Sequence, residues 1–114
     1  MHKLGLKLWS TNSFYIKPAL ELYKKKVFEY LELYIVPGTQ KGLLEEWKKT
    51  GIKTILHAPH SESGFNLSLR NFETKNKVLL DEIEAFRVAL KPGNIVFHPG
   101  TNGSLEETIR QVNK

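Results

Sequence analysis

Along this chain, stretches of strict apolar–polar alternation give way four times to stretches with helical spacing. In residues 3–9, Leu4, Leu6 and Leu8 face one way and Gly5, Lys7 and Trp9 the other, which is the period of a strand. A helix is expected from about Pro18, a residue tolerated in a first helical turn, with Ala19, Leu22, Tyr23, Val27 and Tyr30 as its apolar stripe. Residues 31–36 predict a second strand, ended by Pro37-Gly38; Leu43, Leu44 and Trp47 predict a short helix that stops at Gly51. Residues 52–57 read as a third strand. The longest helix is expected from about residues 72–74 to Leu90, carried by Leu79, Ile83, Phe86 and Leu90 and ended by Lys91-Pro92-Gly93. A fourth strand, residues 94–97, runs into His98-Pro99-Gly100. Ser104-Leu105-Glu106-Glu107 then forms a capping box for a last helix, whose apolar face is Leu105, Ile109 and Val112.

Strands alternating with helices predict an α/β fold in which parallel strands are joined by right-handed crossovers. One sheet face gathers Leu4, Leu6, Leu8, Leu31, Leu33, Ile35, Leu56, Ile95 and Phe97, as helix-covered faces do. The other gathers Lys7, Trp9, Glu32, Tyr34, Ile55, His57, Val96 and His98, so every strand sends a charged or titratable residue there. In a closed barrel that face is the interior, and its upper end holds the site. Four consecutive parallel βα units amount to half of a (β/α)8 TIM barrel, one domain spanning residues 1–114. The first and fourth strands of such a half carry unpaired edges. The expected partner is therefore a missing C-terminal half-barrel, this chain being a fragment of a longer protein, or a second copy in a homodimer.

Composition narrows the chemistry. With no cysteine, disulfides, thiolate metal sites and a cysteine nucleophile are excluded, so any metal must use His, Asp, Glu or water. No signal-peptide pattern follows Met1-His2-Lys3 and no stretch approaches the length of a membrane span, so a cytoplasmic protein without membrane contact is the expectation. Seventeen Lys and Arg against twelve Asp and Glu give a net charge of +5, which favours DNA or a phosphorylated sugar as partner. Lys24-Lys25-Lys26 and Lys48-Lys49 fall where helices face water, so much of that charge is ordinary solvated surface.

His57 and His98 each stand where an apolar strand meets a proline, at adjacent strand ends on one face. Imidazoles placed this way suit a divalent metal, zinc first, with manganese or magnesium as alternatives. Glu32 is the nearest carboxylate for a ligand or base, and Glu62 a loop alternative. Lys7 either pairs with Glu32 or binds an anionic substrate; Trp9 and Tyr34 can stack on a sugar or base, or simply fill the barrel. His60 is a further candidate ligand, and Gly100 to Ser104 a weak candidate phosphate cradle.

Leu56-His57-Ala58-Pro59, Asn66-Leu67 and Phe97-His98-Pro99-Gly100 together resemble the xylose-isomerase-like TIM barrels, and within them the type IV endonuclease (AP endonuclease family 2) group. The resemblance implies the barrel fold and a metal, commonly zinc, ligated by His57 and His98. The family's spacing to Asn66 fits His60 better, whereas the strand-end context fits His57; His57, with three extra residues in the loop, is the expected ligand and His60 its substitute, and the family's tyrosine after Ala-Pro is His60 here. Asn66, in the matched pair, is expected as a substrate contact; Glu32 and Lys7 are expected as catalytic groups from their place on the polar face rather than from the resemblance. Two activities follow: hydrolysis of a phosphodiester at abasic DNA, or isomerisation or epimerisation of a sugar (phosphate). The family's remaining Glu, Asp and His ligands lie beyond the fourth βα unit. A non-catalytic half-barrel that self-associates or serves as an assembly module is the alternative.

Overall fold

Period-two alternation fixes strand register wherever one face is buried, because a slip of one residue would turn leucines to water and lysine to the core. The computed structural model, which describes residues 3–60 and 63–113, carries that register across four parallel strands in the order β1-β2-β3-β4. Between β1 (Gly5–Trp9) and β2 (Tyr30–Tyr34), Leu8 lies beside Leu33, and Lys7 and Trp9 lie beside Glu32 and Tyr34. In β3 (Thr54–His57), Leu56 continues the leucine row and His57 stands beside Tyr34; β4 (Ile95–Val96) adds Ile95 and Val96 to the same two rows.

The apolar rows meet α1 (Ile16–Lys24), α2 (Gln40–Lys48) and α3 (Glu73–Leu90). Leu33, Leu56 and Phe86 are wholly buried, with Ala19, Trp47, Leu79 and Ile83 packed around them. The buried indole of Trp47 donates from Nε1 to the Ser10 carbonyl (2.8 Å), tying α2 to the end of β1. No side chain of its own caps α2; Glu82 on α3 does so instead, its carboxylate accepting from Gly38 N (3.0 Å) and Gln40 N (3.1 Å). No helix among the described residues is long and apolar enough to cross a membrane.

Three elements differ from the sequence pattern. A 3-10 turn at Ser13–Tyr15 leads into α1 two residues before Pro18, so proline occupies the third helical position, where its missing N–H would have no partner anyway. The helix stops at Lys24 and Lys26 turns left-handed (φ 60°), so Val27 and Tyr30 leave the stripe; Ile16, Ala19, Leu20 and Tyr23 make the inward face, and Leu22 is exposed. The fourth strand is two residues long rather than four, since β4 pairs on one side only.

The third difference is α4 (Leu105–Val112), whose expected apolar face of Leu105, Ile109 and Val112 is exposed while Thr108 and Gln111 are buried. Polar contacts dock this helix. Arg110 pairs with Glu73 of α3 (2.9 Å) and with Glu107, and Gln111 Nε2 donates to the Leu69 carbonyl (3.0 Å). The capping box is half formed: Ser104 Oγ accepts from Glu107 N (3.1 Å), but the Glu107 carboxylate turns to Arg110 rather than back to the cap.

Removing the Phe86 ring leaves a core cavity and should cost about 3–5 kcal/mol, a large part of the stability of a domain this size; urea denaturation of Phe86→Ala measures it. The Arg110 guanidinium, aided by the Gln111 amide, holds the Glu107 carboxyl down from 4.5 to about 2. Its contribution to stability is therefore complete above pH 4.5 and disappears as pH falls through about 2. Glu107→Gln should lose stability less steeply than the parent across that window, read as urea midpoint against pH.

Candidate metal centre

The polar sheet face rises in two rows. In the lower row, Lys7 Nζ lies 3.6 Å from Glu32 Oε1, with Ile55 beside Glu32 in register. This pair is partly exposed, and such pairs contribute little, about 0–1 kcal/mol. The upper row runs Trp9, Tyr34, His57, Val96. Ring centroids step 6.0 Å from Trp9 to Tyr34 and 5.3 Å from Tyr34 to His57, so an aromatic path leads from the exposed Trp9 to the buried imidazole.

Beyond the strands, His57, His60 and His98 converge, each offering a ring nitrogen within 4.8 Å of the other two. His57 Nδ1 lies 2.8 Å from the Ala58 carbonyl, so the proton belongs on Nδ1 and the Nε2 lone pair is left for a ligand. That Nε2 lies 3.3 Å from His98 Nε2. A tetrahedral ion with metal–nitrogen bonds of about 2.0–2.1 Å needs two such nitrogens about 3.3–3.4 Å apart. The pair has that spacing already. His60 is placed by Tyr34, whose hydroxyl accepts from the His60 backbone N–H (3.0 Å), and its ring stands perpendicular to that of His98 at 4.7 Å between centroids. Three imidazoles with this geometry can hold a metal ion. Among the described residues no carboxylate joins them.

Burial pushes the His57 imidazole below its ordinary pKa of 6.5; the Ala58 carbonyl works against that shift, and the positive charge of Lys7 adds to it. A buried, neutral imidazole is the ligating form.

His57 and His60, read from the sequence as alternatives, stand side by side. Lys7 and Glu32 meet each other in the row below the histidines. Trp9 and Tyr34 line the approach. Asn66 is buried, its Nδ2 donates to the Thr101 carbonyl (2.9 Å), and its Oδ1 accepts from Ser68 N (3.1 Å). Glu62 and His2 lie outside the described residues. The candidate phosphate cradle at Gly100 to Ser104 is partly spent, since Ser104 N donates to the Ser68 carbonyl (3.0 Å) and a Cβ at Gly103 would fall on that oxygen. Sequence reasoning missed the roles of Ser68, Asn76 and Gln111, whose signal is polar residues set among Phe65, Leu67 and Leu79.

What fold and site together define is an α/β protein with a parallel four-stranded sheet and a three-histidine cluster at the carboxyl ends of its strands. Compared with protein-family models, with curated proteins and with solved structures, the chain matches none at a significant level.

Because the folded chain disfavours the charged form of His57, its stability contribution is complete above pH 6.5 and declines as pH falls below that value. A proton NMR titration of the ring Hε1 should place the His57 midpoint below 6.5, and Lys7→Ala should move it upward.

Proposed function

We propose that this chain is the first half of a metal-dependent (β/α)8 barrel enzyme that hydrolyses phosphodiesters in damaged DNA, with zinc held by His57, His60 and His98. The 3.3 Å approach of the His57 and His98 ring nitrogens, with His60 beside them, carries the reading. Three neutral nitrogen donors suit zinc, whereas magnesium and manganese prefer oxygen ligands. Zinc bound there would lower the pKa of a coordinated water and polarise a phosphoryl oxygen. Trp9, nearly half exposed, offers a stacking surface for a base, and Lys7, 6.0 Å from its ring, a positive charge for a phosphate. Glu32 would take a proton from the attacking water once substrate draws Lys7 away, and would return it to the leaving oxygen. The net charge of +5 favours a polyanion. The resemblance to the type IV endonuclease group points the same way. Among the described residues β1 and β4 are the outer strands of the sheet, which supports completion of the barrel by a second half or a second copy.

The test is zinc and cobalt titration of the purified chain, followed by incubation with an abasic duplex and with sugar phosphates. About one ion per chain should bind, and His98→Ala should weaken binding by more than the roughly 10–100-fold that loss of a merely supporting partner costs. Zinc-dependent strand cleavage that falls steeply with salt supports the hydrolase. Turnover of a sugar phosphate with an intact duplex would replace it by an isomerase or epimerase. A folded chain that binds no ion refutes the metal reading and leaves a half-barrel assembly module.

A further inference from the structure

His98 belongs to no regular element. Strand β4 stops at Val96, and His98 is exposed at the sheet edge. Its position therefore depends on what holds the loop that follows it. That loop rests on the segment after β3, the one that also carries His60. Asn66 Nδ2 donates to the Thr101 carbonyl (2.9 Å), and Ser68 Oγ lies 2.6 Å from Asn66 Oδ1 and 3.1 Å from the same carbonyl. Gly100, at φ +107°, passes so close to the Asn66 amide that a Cβ would overlap it. Asn66 is itself held through its main chain: its N–H donates to Asn76 Oδ1 (2.9 Å), and its carbonyl accepts from Asn76 Nδ2 (2.7 Å). The second Nδ2 proton of Asn76 goes to Gln111 Oε1 (2.7 Å).

We infer that Asn66 is a positioning residue: by clamping the loop after β4 onto the loop after β3, it sets the approach of His98 to His57 and so the geometry of the metal site. This rests on the metal reading above and adds to it the device that preorganises the ligands. Asn66 is buried, its Oδ1 is met by both Ser68 N and Ser68 Oγ, and one Nδ2 proton goes to the Thr101 carbonyl, so the side chain is committed to joining the two loops.

The test separates placement from metal binding. In the metal-free chain, nuclear Overhauser effects between the His57 and His98 rings report placement; cobalt(II) titration, with its visible absorption band, reports the site. Asn66→Asp keeps the acceptor for Ser68 and removes the donor to Thr101, and it serves if Asn66→Ala does not fold. Gln111→Ala removes the bonds to Asn76 and to the Leu69 carbonyl but leaves the Asn66–Thr101 clamp in place, and is the structural control. Asn66→Asp should lose the ring contacts, bind cobalt about 10–100-fold more weakly, the range for supporting partners, and alter the band. Gln111→Ala should unfold more readily yet keep contacts and band. Contacts and band unchanged in Asn66→Asp would overturn the inference, as would the absence of ring contacts in the parent chain. Ring contacts present in the parent and lost in Asn66→Asp, with no cobalt bound by either, would sustain the positioning role and refute the metal reading.

Discussion

The reciprocal hydrogen bonds between the Asn76 side chain and the Asn66 main chain, at 2.9 and 2.7 Å, are the constraint on which the upper end of the molecule depends. Asn76 is wholly buried on α3, and a buried amide left without partners would cost about 1–3 kcal/mol for each unmet group. Here every proton and lone pair of consequence is used: one side of the amide fixes the loop after β3, and the other reaches Gln111 on α4. From that point the order spreads outward, through the Asn66 side chain to Thr101 and through Ser68 to Ser104. Both histidine-bearing loops and the last helix are thus tied to one buried amide. That also explains how α4 docks while its apolar residues stay exposed.

The sheet contributes the second half of the arrangement. Because its strands are parallel, all their carboxyl ends lie at one rim, and the polar face leaves Lys7, Trp9 and Val96 exposed. Lys7 and Glu32 neutralise one another lower on that face, which leaves the rim itself to Trp9, Tyr34 and the histidines. Tyr34 acts twice: its ring packs against His57 and His60, and its hydroxyl holds the His60 backbone. Burial of His57 then favours the neutral imidazole, and the Ala58 carbonyl selects which nitrogen faces outward. Ligand spacing, tautomer and protonation state agree with one another, which is what preorganisation of a metal site consists of.

By itself the sequence determined the four βα units, the register-setting leucine rows, and the arrival of His57 at the end of β3 with His98 just beyond β4. These features are local: period-two alternation, a proline one or two residues after His98 and His57, and a serine with glutamate three residues on. It also determined that thiolate chemistry is absent and that the charge balance is basic.

Only the tertiary structure decided the rest. His57 and His60 were competing ligands on paper because spacing along the chain does not say how a loop folds back; a tyrosine hydroxyl 26 residues away brings them together. The burial of Asn66 was not legible, because an asparagine in a loop carries no mark of burial and two of its partners lie 10 and 35 residues distant. The apolar stripe of α4 was legible, but amphipathic spacing says only that a helix has an apolar face, not that anything covers it. The cap of α2 is a glutamate 42 and 44 residues away. In each case the deciding contact joins residues far apart in the chain, so its energy exists only once the sheet has brought them within hydrogen-bond reach.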